Sequence, residues 1–140
     1  MKTGTSLEFI KLVSKSQIRS PELRKRAKAF PGRTIDLRYL VRRSAEEIAF
    51  LWYMAFPGET LLKIHEMYIL KEFRGQGIGL HLIAHAEQLA MRRDYQGLIL
   101  TAVPLDLEID IKRLVTWYKK HGFTEKDAER KLFCKFLVPR

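Results

Sequence analysis

The stretch Met67-Tyr68-Ile69-Leu70-Lys71-Glu72-Phe73-Arg74-Gly75-Gln76-Gly77-Ile78-Gly79 reads as a strand that runs into a glycine-rich turn and then a helix. Gly75, Gly77 and Gly79 stand at alternate positions, where the lack of a Cβ lets a backbone turn tightly and approach a ligand. Ile78, Leu82, Ile83, Ala86, Leu89 and Ala90 follow the three-and-four spacing of an amphipathic helix. The first turn of such a helix has unpaired N–H groups and a positive dipole end, so it suits a phosphate. Arg74 adds a permanent charge at the entrance. Two other nucleotide-binding turns fail by residue: a P-loop needs Lys-Ser/Thr where Leu80 and His81 stand, and a dinucleotide fingerprint needs Gly or Ala at Leu80.

Arg74, Gly77 and Gly79 do match the acyl-CoA signature Arg/Gln-x-x-Gly-x-Gly/Ala. A second landmark, Trp117-Tyr118-Lys119-Lys120-His121-Gly122-Phe123, follows downstream with a Tyr-x-x-x-Gly-Phe ending. On these motifs, within residues 61–123, the chain resembles the GNAT (Gcn5-related N-acetyltransferase) superfamily. The resemblance implies an α/β (α+β) fold: a mixed, mostly antiparallel central sheet with one parallel pair splayed at the acyl-CoA site, flanked by helices. It implies transfer of an acetyl group from acetyl-CoA, a co-substrate, to the amine of an unidentified acceptor. Ile69, Leu70, Lys71, Arg74, Gly75, Gln76, Gly77, Ile78 and Gly79 are then the acyl-CoA contacts, with N–H groups near Ile69 and Leu70 holding the thioester carbonyl. Tyr118 matches the family tyrosine whose hydroxyl points at the CoA sulfur. Many relatives carry Asn seven residues before that tyrosine; here the position is Ile111.

An alkyl amine is neutral in only about one molecule in 2,000 at pH 7, so a base or desolvation must help it attack. His65 shares strand parity with Met67 and Ile69 and is the first candidate. A bulge in that strand would shift the parity and make Glu66 the better base. His81 and His85 stand four apart on the long helix, but the zinc-protease pattern would need Glu at Leu82, so no metal is expected.

The 140 residues fit one domain with a substantial core. No apolar run approaches the roughly 18 residues that span a bilayer, and the first residues lack the apolar core of a secretion signal. With one cysteine, Cys134, in a strand-like segment, a reducing, cytoplasmic setting is expected. Of the net charge of +10, most is N-terminal: residues 1–44 hold twelve Lys/Arg against three Asp/Glu, and residues 45–140 fourteen against thirteen. Such a field would draw an anionic partner through the basic N-terminal segment.

Residues 7–14 read as a first strand, and Ser20-Pro21-Glu22 as a helix start running to Phe30 and stopping at Pro31-Gly32. Strands follow at 36–44, 48–56 and 61–70. After the glycine turn and its helix, 98–103 reads as a strand parallel to 61–70, 106–121 as a helix with Gly122 at its end, and Phe123 onward as a hairpin ending in 132–138. Asp106, Glu108 and Asp110 would either attract a cationic acceptor or, the favoured reading, complement that helix's dipole. Two other readings remain beside the acyltransferase: a non-catalytic acyl-CoA-binding regulatory module, and a protein acting on nucleic acid such as a charged tRNA. Either a monomer or a homodimer fits.

Overall fold

A computed structural model of the chain describes residues 6–30, 32–106 and 108–137. Pro31, expected to stop the first helix, and Val138, expected to end the last strand, lie outside the described residues. The elements in order are β1 (Glu8–Lys11), α1 (Pro21–Ala27), β2 (Asp36–Arg43), β3 (Glu46–Met54), β4 (Leu61–Ile69), α2 (Ile78–Arg92), β5 (Gly97–Thr101), α3 (Ile111–Lys120), β6 (Thr124–Asp127) and β7 (Leu132–Phe136). The strands form one sheet in the order β1-β2-β3-β4-β5-β7-β6, antiparallel except at β4–β5.

Each face of the sheet has its own core. Alternation along β3 sends Leu51 and Tyr53 toward α2 and α3, where they meet Leu82, Ala86 and Tyr118. Phe50, Trp52 and Met54 face the other way, onto Ile18, Leu23 and Ala27 around α1. Burying a side chain of this size stabilises by about 1.5–3 kcal/mol.

Among the boundaries that differ from the expectation, three move an element's end by several residues, two through a local cap and one through a contact from another element. The first strand is shorter, because Ser14 caps a helical turn at Lys15–Gln17 whose Gln17 side chain accepts from the N–H groups of Val13 and Ser14 at 2.6 and 2.9 Å. Helix α1 begins as expected, with the Ser20 hydroxyl accepting from the Leu23 N–H at 3.2 Å, but it ends at Ala27 rather than Phe30. There Lys28 turns to φ 62°, and buried Arg38 of β2 donates to the carbonyls of Ala27 and Ala29 at 2.5 and 3.0 Å. Helix α3 starts at Ile111 instead of Asp106, with Asp110 as its N-cap accepting from the Lys112 N–H at 3.0 Å.

What positions the site is a bulge in β4. Trp52 lies opposite Glu66 while Tyr53 lies opposite Ile64, so His65 is the extra residue. Before it, Leu62 and Ile64 belong to the α2 side of the core; after it, Met67 and Ile69 pack there, and Tyr68 and Leu70 join the α1 side. The parallel pairing stops at the same point: β4 and β5 are in register from Leu61↔Gly97 to Ile64↔Leu100 and no further. Beyond the bulge β4 runs on to Ile69 with one edge open.

Candidate active site

Gly75 and Gly77 have φ of 79° and 80°, the left-handed region that side chains resist. Gly77 is the N-cap of α2 and no side chain caps that helix end. Among the described residues, the N–H groups of Gly75, Gln76, Gly77 and Ile78 donate to no protein acceptor. Gly79 is required for a different reason, since a Cβ there would come within 2.9 Å of the Trp117 ring. The turn, Met67 and Ile69 of β4, and Asp110, Leu114, Trp117 and Tyr118 enclose a cavity of about 490 Å³. These unpaired donors, grouped at a helix start with open space above Gly75 and Gly77, fit the pyrophosphate of a coenzyme A.

Arg74 is placed otherwise than as a bare charge at the entrance. Its Nε donates to the Ile69 carbonyl at 2.8 Å and its guanidinium pairs with Asp106 at 2.7 Å, bracing the turn against β4. Asp106 and Glu108 therefore do not serve the dipole of α3, which begins later; they pair with Arg74 and Lys71, the latter at 3.0 Å. Gln76 accepts from Arg43 at 3.4 Å.

Leu70 requires a correction as a thioester-carbonyl donor. Its N–H already donates to the Ile48 carbonyl on β3 at 2.9 Å. Because antiparallel partners alternate the edge to which they donate, Met67 and Ile69 direct their N–H groups to the opposite edge, where β5 has diverged.

That gap holds a second cavity of about 340 Å³, lined by residues including Lys63, His65, Glu66, Thr101, Leu105 and Tyr118. Glu66 is 8% exposed and pairs with Arg26 at 2.9 Å, and the same guanidinium donates to the Leu105 carbonyl at 2.7 Å. Burial raises its carboxyl above the ordinary value, with Arg26 and Lys28 opposing. The other oxygen, Oε1, has no hydrogen-bond partner among the described residues. His65 lies edge-on to the Trp52 ring at 4.6 Å, and burial followed by Lys63 lowers its pKa, favouring the neutral ring.

Tyr118 and Met67 line both cavities, so the two meet there. Tyr118 is buried against the rings of Trp117, Phe123 and Phe133, and burial pushes its phenol up to about 12. Its hydroxyl makes no hydrogen bond among the described residues. Ile111, at the position where many relatives carry Asn, packs against the core beside it.

Sequence reasoning missed Arg26 as the partner of Glu66; nothing local separates it from the other cations of its helix. His81 and His85 do not converge: His85 turns inward, 2.8 Å from the Tyr53 hydroxyl and stacked on Phe9. No group of three His, Cys, Asp or Glu side chains is placed to hold a metal among the described residues. Nor is any described helix long and apolar enough to cross a membrane.

A sheet that opens at its parallel junction, beside a glycine turn and a helix start with unpaired donors, is the architecture of an acyl-CoA-dependent transferase fold. The comparisons agree. A family model described as an acetyltransferase (GNAT) domain matches residues 36–125. An uncharacterised N-acetyltransferase of Methanocaldococcus jannaschii is 32% identical over 77 residues, 55% of this chain and 32% of that protein. Another, of Archaeoglobus fulgidus, is 40% identical over 43 residues, 31% of this chain and 29% of that protein. The matches thus span about a third of the length of these curated relatives. A crystal structure of a GNAT family acetyltransferase from Elizabethkingia anophelis with acetyl-CoA bound superposes with a TM-score of 0.67 at 18% identity, covering 95% of this chain and 99% of the other. The chain belongs to the GNAT acetyltransferase family.

Proposed function

We propose that this protein transfers the acetyl group of acetyl-CoA to a primary amine, with the larger cavity as the donor cleft and the smaller as the acceptor cleft. The observation that carries this reading is the meeting of the two cavities at Met67 and Tyr118, with unpaired backbone donors in one and a buried carboxylate in the other. The elements of that reading fall into place along β4 and α2. Acetyl-CoA supplies the activated acyl thioester. Backbone N–H groups of Gly75, Gln76, Gly77 and Ile78 hold phosphate, Arg74, paired with Asp106, braces the turn that presents them, and the N–H of Ile69 faces the thioester carbonyl.

Glu66 is the base. Its unpaired Oε1 takes a proton from the incoming ammonium, directly or through one water, and its raised pKa suits that task. His65, already neutral, lines the acceptor cleft and shapes it rather than acting as the base. Tyr118 donates a hydrogen bond to the departing sulfur. With a phenol at about 12 and a thiol near 8.5, complete proton transfer would be uphill by roughly 5 kcal/mol, so the hydroxyl stabilises the thiolate without surrendering its proton.

The test is thiol release from acetyl-CoA in the presence of primary amines. Amine-dependent release is expected, and Glu66→Gln should lower kcat/KM by about 10²-fold or more while leaving acetyl-CoA affinity intact. Wild-type turnover by Glu66→Gln would remove the carboxylate from the mechanism. Acetyl-CoA binding with no release for any amine would favour the non-catalytic module instead.

A further inference from the structure

The acceptor cleft has an uncompensated positive charge. Of the ionisable side chains lining it, Glu66 is matched by Arg26 at 2.9 Å and His65 is held toward its neutral form. Lys63 is left over: it lines the cavity and has no ion-pair or hydrogen-bond partner among the described residues. A second cation, Lys28, ends α1 close enough to bear on both His65 and Glu66. It too has no ion-pair partner among the described residues.

The remaining walls are apolar, supplied by Ile64, Met67, Leu100, Val103 and Leu105. The volume of about 340 Å³ lies at the small end of ligand pockets, sufficient for a metabolite-sized molecule. Lys63 precedes Glu66 by three residues on β4, roughly 10 Å of extended chain before the bulge shortens it, and a flexible lysine stem covers much of that span. An amine placed at Glu66 and Tyr118 therefore has a cation a few bonds away.

Resting on the acetyltransferase reading, we propose that the acceptor is a small amino acid, a molecule whose primary amine lies a few bonds from a carboxylate and whose body is apolar. The carboxylate pairs with Lys63, the amine is presented to Glu66 and Tyr118, and the side chain lies against the apolar walls. The same charge selects against the alternatives. A polyamine or a lysine in a basic peptide brings a second cation toward Lys63 and Lys28 and is repelled. The field also favours the neutral form of a bound amine, which is the form that attacks. In the reaction Glu66 takes one proton from the ammonium, the neutral nitrogen forms the new bond to the acetyl carbon, the carbon–sulfur bond breaks with its electron pair leaving on sulfur, and the second proton, shed by nitrogen as the amide forms, passes to the CoA thiolate directly or through water.

The experiment compares matched acceptors in the thiol-release reaction: L-leucine with L-leucinamide, L-phenylalanine with L-phenylalaninamide, β-alanine with propylamine, and spermidine as the polycation. Each amino acid amide has the less basic amine and is the more neutral at pH 7, so intrinsic reactivity favours the amide. The acids are nonetheless expected to exceed their carboxylate-free partners by tenfold or more in kcat/KM, with spermidine poorest. Lys63→Met should collapse that ratio toward one through a raised KM for the acid, Lys63→Arg should retain it, and acetyl-CoA affinity should not change in either. Equal or better use of the amides, preference for spermidine, or an undiminished ratio in Lys63→Met overturns the inference. Turnover that ignores the carboxylate overturns the acceptor class alone and leaves the acetyltransferase reading standing. A protein that binds acetyl-CoA and acetylates no amine overturns both.

Discussion

Glu66 is held between two opposing influences, burial that raises its pKa and Arg26 that lowers it, with burial the larger. If it is the base, the acid limb of kcat/KM against pH reports its titration in the free enzyme and lies above the ordinary carboxylate value. Removing the cation with Arg26→Met should shift that limb to still higher pH, because the anionic form loses its partner. A limb that stays in place in Arg26→Met, or that survives in Glu66→Gln, would assign it to another group. Tyr118 makes a separate prediction. As a hydrogen-bond donor to sulfur it should lower kcat by about 10²-fold on conversion to Phe, with the acetyl-CoA dissociation constant unchanged, since Phe keeps the packing against Phe123 and Phe133. Loss of binding in Tyr118→Phe would make the residue structural. Glu66 was legible only as a conditional: alternation along β4 favours His65, and the bulge that brings Glu66 to the same cleft beside it is announced by nothing in residues 61–70.

At the scale of elements, local chemistry and tertiary contact divide the prediction sharply. Ser20-Pro21 starts α1 where the residues say it should, because a cap is satisfied within one turn. Its end is invisible locally, because the carbonyls of Ala27 and Ala29 are satisfied by Arg38 from a strand of the sheet. Ser20→Ala should therefore cost about 1 kcal/mol of unfolding free energy, and Arg38→Met about 2–3 kcal/mol, both measured by denaturant unfolding. Equal costs would contradict the capping role of Arg38. Helix α2 contributes a pH dependence through His85, half-buried among the rings of Phe9, Tyr39 and Tyr53. Burial, with Arg92 nearby, lowers its pKa to about 4, against about 6.5 in the unfolded chain. Protonation thus favours the unfolded state: the stabilisation is complete above about pH 6.5 and is lost as the pH falls toward 4. The Tm should decline across that window, and His85→Phe should flatten this part of the decline. An unaltered profile would mean that other groups govern acid unfolding.

Across the whole molecule, the N-terminal basic excess that suggests an anionic partner is largely engaged by the protein itself. Arg24 donates to the Ile18 carbonyl, Arg26 to Glu66 and Leu105, Arg33 to Asp36, and Arg38 to the end of α1. Composition counts charges and cannot show which are already held: the net charge stays +10, but guanidiniums fixed against carbonyls and carboxylates of the protein are not free to reach a phosphate backbone. RNA affinity should accordingly be weak, with a shallow dependence on salt; tight binding that falls steeply between 50 and 200 mM salt would restore the nucleic-acid reading. The donor side was the most legible part of the molecule, because a glycine turn works through its backbone and the residues that permit it are consecutive. The cavity proposed for the acceptor draws on α1, β4 and the segment after β5, and its pairings emerge only once the sheet brings them together. The central claim is that the turn at Gly75, Gly77 and Gly79 holds acetyl-CoA, and calorimetric titration of the wild-type protein and of Gly77→Glu tests it most directly. A carboxylate at this left-handed N-cap would occupy the open space above the turn and repel phosphate, so micromolar binding by the wild type that is abolished in a folded Gly77→Glu is the expected result. No binding by folded wild-type protein, or equal binding by both, would contradict the account.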